Sequence, residues 1–164
     1  MNVELPRPSL GLAVATEVLV AILFVVGFAA AALLPAFSAA VAEDFPEYAA
    51  LRGPLLATGI AFIALGLIAL GSIALLVHRV YRGAVLVRSS LVWVDLLVGA
   101  LAGAAVVVIA ASVVISRGQA GSPFLVIVEV MAFLGLVAVA GVILVLRSLL
   151  RSSIDMHDEL EEVV

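Results

Sequence analysis

The chain has 164 residues, of which 66% are hydrophobic and only 12% charged, with a formal net charge of −4 and a mean hydropathy of +1.38. A soluble domain carries about 25% charged and about 45–50% apolar residues, so this composition excludes a water-soluble globule and places the apolar surplus against lipid. Cys is absent, which removes disulfides, thiolate metal sites and Cys nucleophiles together, and Lys is absent too, so all eight basic residues are Arg.

Met1 to Ser9 is a short polar start in which Pro6 and Pro8 hold off a helix until Ser9, an N-cap residue type. Leu10 to Leu34 then runs apolar with a single charge, Glu17. At ~1.5 Å per residue this stretch is roughly 37 Å long and predicts a first membrane span at 10–34. The rival reading is a secretory signal, because Ser38-Ala39-Ala40-Val41-Ala42 ends in an A-x-A-like pattern. A signal core is about 7–15 residues, however, and this run is far longer.

Pro35 to Pro54 reads as the longest loop and, with Glu43, Asp44 and Glu47 against Arg52, as an outer one. Within it Pro46 to Arg52 has the makings of two helical turns at the surface, with Phe45 and Tyr48 as interfacial anchors, although a plain turn that delivers the chain to the second span is the favoured reading. The second span, 55–77, contains no acid or base and is closed by His78-Arg79. The turn that follows, from His78 to Ser90, holds Arg79, Arg82 and Arg88, which is what positive-inside bias places in the cytoplasm.

The third span, 91–115, has Ser89 or Ser90 as its cap, with Trp93 and Asp95 about one turn inside. Gly99 and Gly103 form a G-x-x-x-G, a spacing that lets a neighbouring helix approach closely. Ser116 to Ser122 is a short outer loop, and Ser122-Pro123 is a cap followed by Pro at the first helical position. The fourth span, 124–146, holds Glu129 near its outer end, with Gly135 and Gly141 as further small-residue packing candidates, and runs into Arg147 and Arg151. Residues 1–151 thus form a four-span domain and 152–164 a tail. That tail holds Asp155, Asp158, Glu159, Glu161 and Glu162, without which the net charge changes from −4 to +1. Leu149, Met156, Leu160 and Val163 recur at helical spacing through it and predict an amphipathic cytoplasmic helix.

Arg7, Arg79, Arg82, Arg88, Arg147 and Arg151 fall on one side of this topology, Arg52 and Arg117 on the other. Six against two predicts both termini in the cytoplasm, and acids contribute little to that rule. The expected fold is all-α, an antiparallel bundle of four transmembrane helices.

Glu17, Asp95 and Glu129 are the acids within the spans, and an ionisable group there is a functional candidate because its burial is expensive. Each also lies near the start of its helix, where the dipole favours an anion. Arg79 and Arg147 are close in depth to Glu17 and Asp95, and Arg52 or Arg117 is placed to serve Glu129. Structural pairing is therefore the reading favoured over transport, since scattered hydroxyls such as Thr58, Ser72 and Ser112 offer little of an ion path. His78 and His157 have no partner in any metal or nucleophile spacing, so no catalysis and no cofactor is expected. The candidate partner-binding residues are Arg79, Arg82 and Arg88 of the turn and Met156, Glu159, Leu160, Glu161 and Glu162 of the tail, which suit electrostatic docking onto each other or onto a basic cytoplasmic protein.

From Glu47-Tyr48-Ala49-Ala50-Leu51-Arg52-Gly53-Pro54, through Arg82-Gly83 and Val92-Trp93-Val94-Asp95, to the terminal Glu159-Leu160-Glu161-Glu162-Val163-Val164, the chain resembles bacterial membrane proteins of domain of unknown function family 2975. The resemblance covers roughly the last two thirds, and span one only by its hydropathy. It implies a multi-pass protein of the bacterial inner membrane whose gene often lies beside one for a small helix-turn-helix regulator, and it supplies no catalytic residues. Leu86 stands where relatives tend to have Phe. Three functions follow in order: a non-enzymatic regulatory protein that holds or releases a cytoplasmic regulator, an accessory subunit of a larger membrane complex, and a proton-coupled small transporter. Direct nucleic-acid binding is not expected of any of them.

Overall fold

The computed structural model describes residues 10–81 and 89–161, and among them every regular element is helical. In chain order these are α1 (Leu10–Asp44), a 3-10 helix η1 (Pro46–Leu51), α2 (Arg52–Tyr81), α3 (Ser89–Arg117) and α4 (Pro123–Glu161). Four segments, Val14–Asp44, Pro46–Arg79, Leu91–Arg117 and Pro123–Leu149, are long and apolar enough to cross a membrane. Helices apolar on all sides belong inside a large core or in lipid. Among the described residues there is no large core, since Val20, Leu97, Ala100, Ala104 and Ala105 are the buried hydrophobic residues there, while Val25, Phe28, Leu33, Phe124 and Met131 are each more than 60% exposed. Lipid is what covers them: this is a multi-pass membrane protein.

The span limits differ from the sequence reading chiefly at the end of α1. Pro35 does not start a loop, because the helix continues through it to Asp44. Proline lacks one amide N–H but has a helical φ, and a membrane helix accommodates the freed carbonyl. One turn later the Ser38 hydroxyl donates to the Pro35 carbonyl at 3.0 Å. The chain then reverses through η1, where Tyr48 N–H donates to the Phe45 carbonyl. Pro46 to Leu51 is thus helical, as 3-10, where the sequence favours a plain turn into the second span.

Packing joins helices that follow one another in the chain: α1 with α2, α2 with α3, and α3 with α4, with no comparable α1–α4 contact among the described residues. The bundle expected from the sequence is thus an open row. Its seams are small-residue notches filled by leucine. Leu67 of α2 lies over Gly27 and Leu34 of α1 over Gly59, so close that an added Cβ would stand 2.8 Å from a leucine methyl in either case. Phe24 covers Gly71 in the same seam and stacks on Phe28 with ring centroids 6.4 Å apart. Leu65 of α2 fills the notch at Gly103, beside the buried Ala100 and Ala104. Ser72, 1% exposed, returns its hydroxyl to the Ile68 carbonyl at 2.9 Å, so it satisfies itself within α2.

The α3–α4 turn is built by local hydrogen bonds. Gln119 takes φ 55°, the left-handed residue after the helix, while Ala120 N–H returns to the Ile115 carbonyl and Gln119 N–H to that of Ser116. This is a Schellman ending with Gln in the place usually held by Gly. Gly118 lies directly beneath the Leu51 side chain, where a Cβ would collide with it. Ser122 caps α4, its hydroxyl accepting the Leu125 N–H at 3.2 Å, and Pro123 occupies the first helical position. With its start fixed, α4 runs for 39 residues to Glu161.

Candidate functional site

Polar contacts concentrate on the α3–α4 seam and sit at its two ends. At one end Arg147 of α4 reaches Asp95 of α3: Nη2 donates to Oδ2 at 2.9 Å, and Nε lies 2.5 Å from Oδ1, too oblique to add a second hydrogen bond yet within ion-pair distance. At the other end the Ser112 hydroxyl of α3 donates to Oε2 of Glu129 in α4. Asp95 and Ser112 are 17 residues apart on α3, roughly 26 Å at ~1.5 Å per residue, which is close to the ~30 Å of a hydrocarbon core. Each contact therefore falls near one membrane interface, and the apolar seam lies between them.

The acids of the sequence reading have thus separated. Asp95 meets Arg147, one of the cations expected at its depth. Glu129 meets neither Arg52 nor Arg117 but a hydroxyl, while Arg52 Nε donates to Ser38 Oγ at 3.3 Å. Glu17 is exposed on α1 and has no ion pair among the described residues. Arg79, expected near Glu17, places its guanidinium 6.0 Å from the Trp93 ring centroid, a cation–π distance that ties the end of α2 to the start of α3.

Of the packing glycines, Gly103 faces Leu65, whereas Gly99, Gly135 and Gly141 meet nothing within 4 Å. Gly27 and Gly59, which do receive leucines, carried no distinguishing signal, because Gly and Ala occur throughout the spans. Arg82, Arg88 and Glu162 lie outside the described residues. Met156, Glu159, Leu160 and Glu161 lie on the last turns of α4.

Among the described residues, cavities open on the row. One of ≈ 340 Å³ sits at the η1 end of the row, between α1, η1 and α2, walled by Phe37, Tyr48 and Leu56. Two others, ≈ 440 Å³ and ≈ 290 Å³, flank the Ser112–Glu129 contact, the first in the α3–α4 groove and the second between α2, α3 and α4. Among the described residues no group of three or more His, Asp or Glu could hold a metal ion.

Residues 36–164 match the family model described as "Protein of unknown function (DUF2975)", and the chain belongs to that family. The match begins after most of α1, in keeping with a first span resembling the family by hydropathy alone. No curated protein and no solved structure matches the chain.

Proposed function

From membership of this family and the course of α4, we propose that the chain is a non-enzymatic regulatory protein of the bacterial inner membrane. Its spans run antiparallel with both termini in the cytoplasm, and its acidic tail captures a basic cytoplasmic protein such as a small helix-turn-helix regulator. The six-to-two division of Arg supports the orientation. Pairing of an early residue on one helix with a late residue on the other, as in Asp95 of α3 with Arg147 of α4 and Glu129 of α4 with Ser112 of α3, supports the antiparallel order. The observation that carries the function is the continuity of α4. Its 39 residues measure about 58 Å, of which about 18 Å lie beyond Leu149, so the span and the acid-bearing tail are one helix. The Asp95–Arg147 contact clamps that helix to α3 at the membrane face, where movement among the spans would change the pose of the tail.

The test is charge reversal of Glu159, Glu161 and Glu162 to Lys, with co-purification measured in mild detergent across a salt series. Steering by exposed charge is screened over about 10 Å at 0.1 M, so capture by the native tail weakens as salt rises and the reversed tail loses the partner at every salt concentration. Equal recovery from both proteins removes the electrostatic tail from the account. A second reading, an accessory subunit, draws on the open row: α4 has no buried residue within its span, and Gly135 and Gly141 lie free on it. In that case co-purifying partners are membrane proteins and are indifferent to the tail.

A further inference from the structure

Glu129 stands about 9 Å along the axis from the start of α4, inside the apolar segment, with one hydroxyl as its hydrogen-bond partner among the described residues. A carboxylate has about four acceptor sites, and placing one in an apolar groove with a single donor is costly unless a cation joins it. The cavities on either side share it: Glu129 and Val108 line both. The smaller cavity's other polar side chain, Thr58, donates its own hydroxyl to the Leu55 carbonyl at 3.0 Å. The larger has Ser116 and Arg117 at its outer mouth, and Arg117 makes no ion pair with Glu129. The remaining walls are hydrocarbon.

From this the geometry points to a binding site for a lipophilic organic cation, an ammonium or phosphonium centre carried on an apolar body. The charged centre pairs with Glu129, and the body fills the α3–α4 groove or the cleft toward α2. The charge of the acid fixes the sign of the ligand, and the walls fix the character of the rest. A bare divalent ion is a poor fit, because it wants six or more oxygen ligands and the groove offers one carboxylate and a few hydroxyls. The volumes, ≈ 440 and ≈ 290 Å³, are those of a site for a small organic molecule. This site is independent of whatever the tail binds.

The experiment uses the full chain in nanodiscs and radiolabelled tetraphenylphosphonium in equilibrium dialysis. Native protein binds the probe saturably, Glu129→Gln weakens binding at least tenfold, and Glu17→Gln, which removes an exposed acid of α1 that lines neither cavity, leaves it unchanged. A second measurement needs no variant: a hydrophobic carbodiimide modifies Glu129 of the native chain, read by peptide mass spectrometry, and excess tetraphenylphosphonium protects it. Absence of saturable binding, equal binding by Glu129→Gln, or modification of Glu129 that the probe does not slow would each overturn the assignment.

Discussion

Replacing Ser152 by Pro separates the membrane part of α4 from its tail without altering the tail's charge or length. Ser152 is exposed and lies past Arg147 and Arg151, so the change meets no packed neighbour. Proline there removes the N–H that would bond the Ser148 carbonyl and drives its ring against that carbonyl, a cost of about 3 kcal/mol in a helix interior. The span is held by α3 and by the Arg147–Asp95 contact, so the loss falls on the segment beyond it. Residues 153–161 then have to nucleate a helix alone, and isolated helices shorter than about 12–15 residues are marginal in water. Amide exchange measured in nanodiscs should show residues 153–161 losing protection while residues 124–146 keep theirs, with the melting temperature of the spans unchanged. Unchanged protection of 153–161 would mean that contacts beyond helix continuity hold the tail, and the argument from an unbroken α4 would fail.

Four further outcomes follow from the same geometry. Cys placed at Arg82 should be labelled by an impermeant reagent only from the cytoplasmic side and Cys at Tyr48 only from outside, and labelling of both from one side would end the four-span topology. Asp95→Asn should lower the melting temperature by about 2–4 °C, since Asp95 is 49% exposed and such a pair contributes at most about 1 kcal/mol; an unchanged melting curve would show that the contact clamps nothing. Gly99→Ala should be neutral or gain up to about 1 kcal/mol from helix propensity, whereas Gly103→Val, forced against Leu65, should lose about 1–3 kcal/mol by overpacking, and equal effects in a chemical denaturation series would disprove the α2–α3 notch. The fourth, removal of the tail, is taken last.

Length and hydropathy made the four spans legible, because lipid demands about 20 apolar residues per helix whatever else the sequence does. The end of α1 was less so. Pro35 reads as a breaker in water, but α1 continues about two and a half turns beyond it to Asp44, and that extension supplies the Phe37 wall of the cavity that Tyr48 also lines. The Asp95–Arg147 contact was within reach of a depth argument, since Asp95 lies about one turn inside the third span and Arg147 at the end of the fourth, on the same side. The Ser112–Glu129 contact was not. A hydroxyl in an apolar helix commonly bonds its own backbone, as Ser72 and Thr58 do, and only the rotation of α3 against α4 turns Ser112 toward the acid. The setting of α3 against α2 likewise decides that Gly103 faces Leu65 and Gly99 faces nothing: the two are one turn apart in sequence, yet the spacing alone leaves the packed one unidentified.

The central claim, that the tail recruits a cytoplasmic partner, is tested most directly by deleting residues 152–164 and measuring what remains bound. The deleted segment lies beyond the four apolar segments, so the shortened protein should insert and melt like the native one. Quantitative mass spectrometry of mild-detergent pull-downs should then find one basic cytoplasmic protein, abundant with the native chain, lost with the shortened chain and released into the soluble fraction of the cells. Recovery of the same cytoplasmic proteins in the same amounts by both chains would contradict the claim and leave the tail a solvated end.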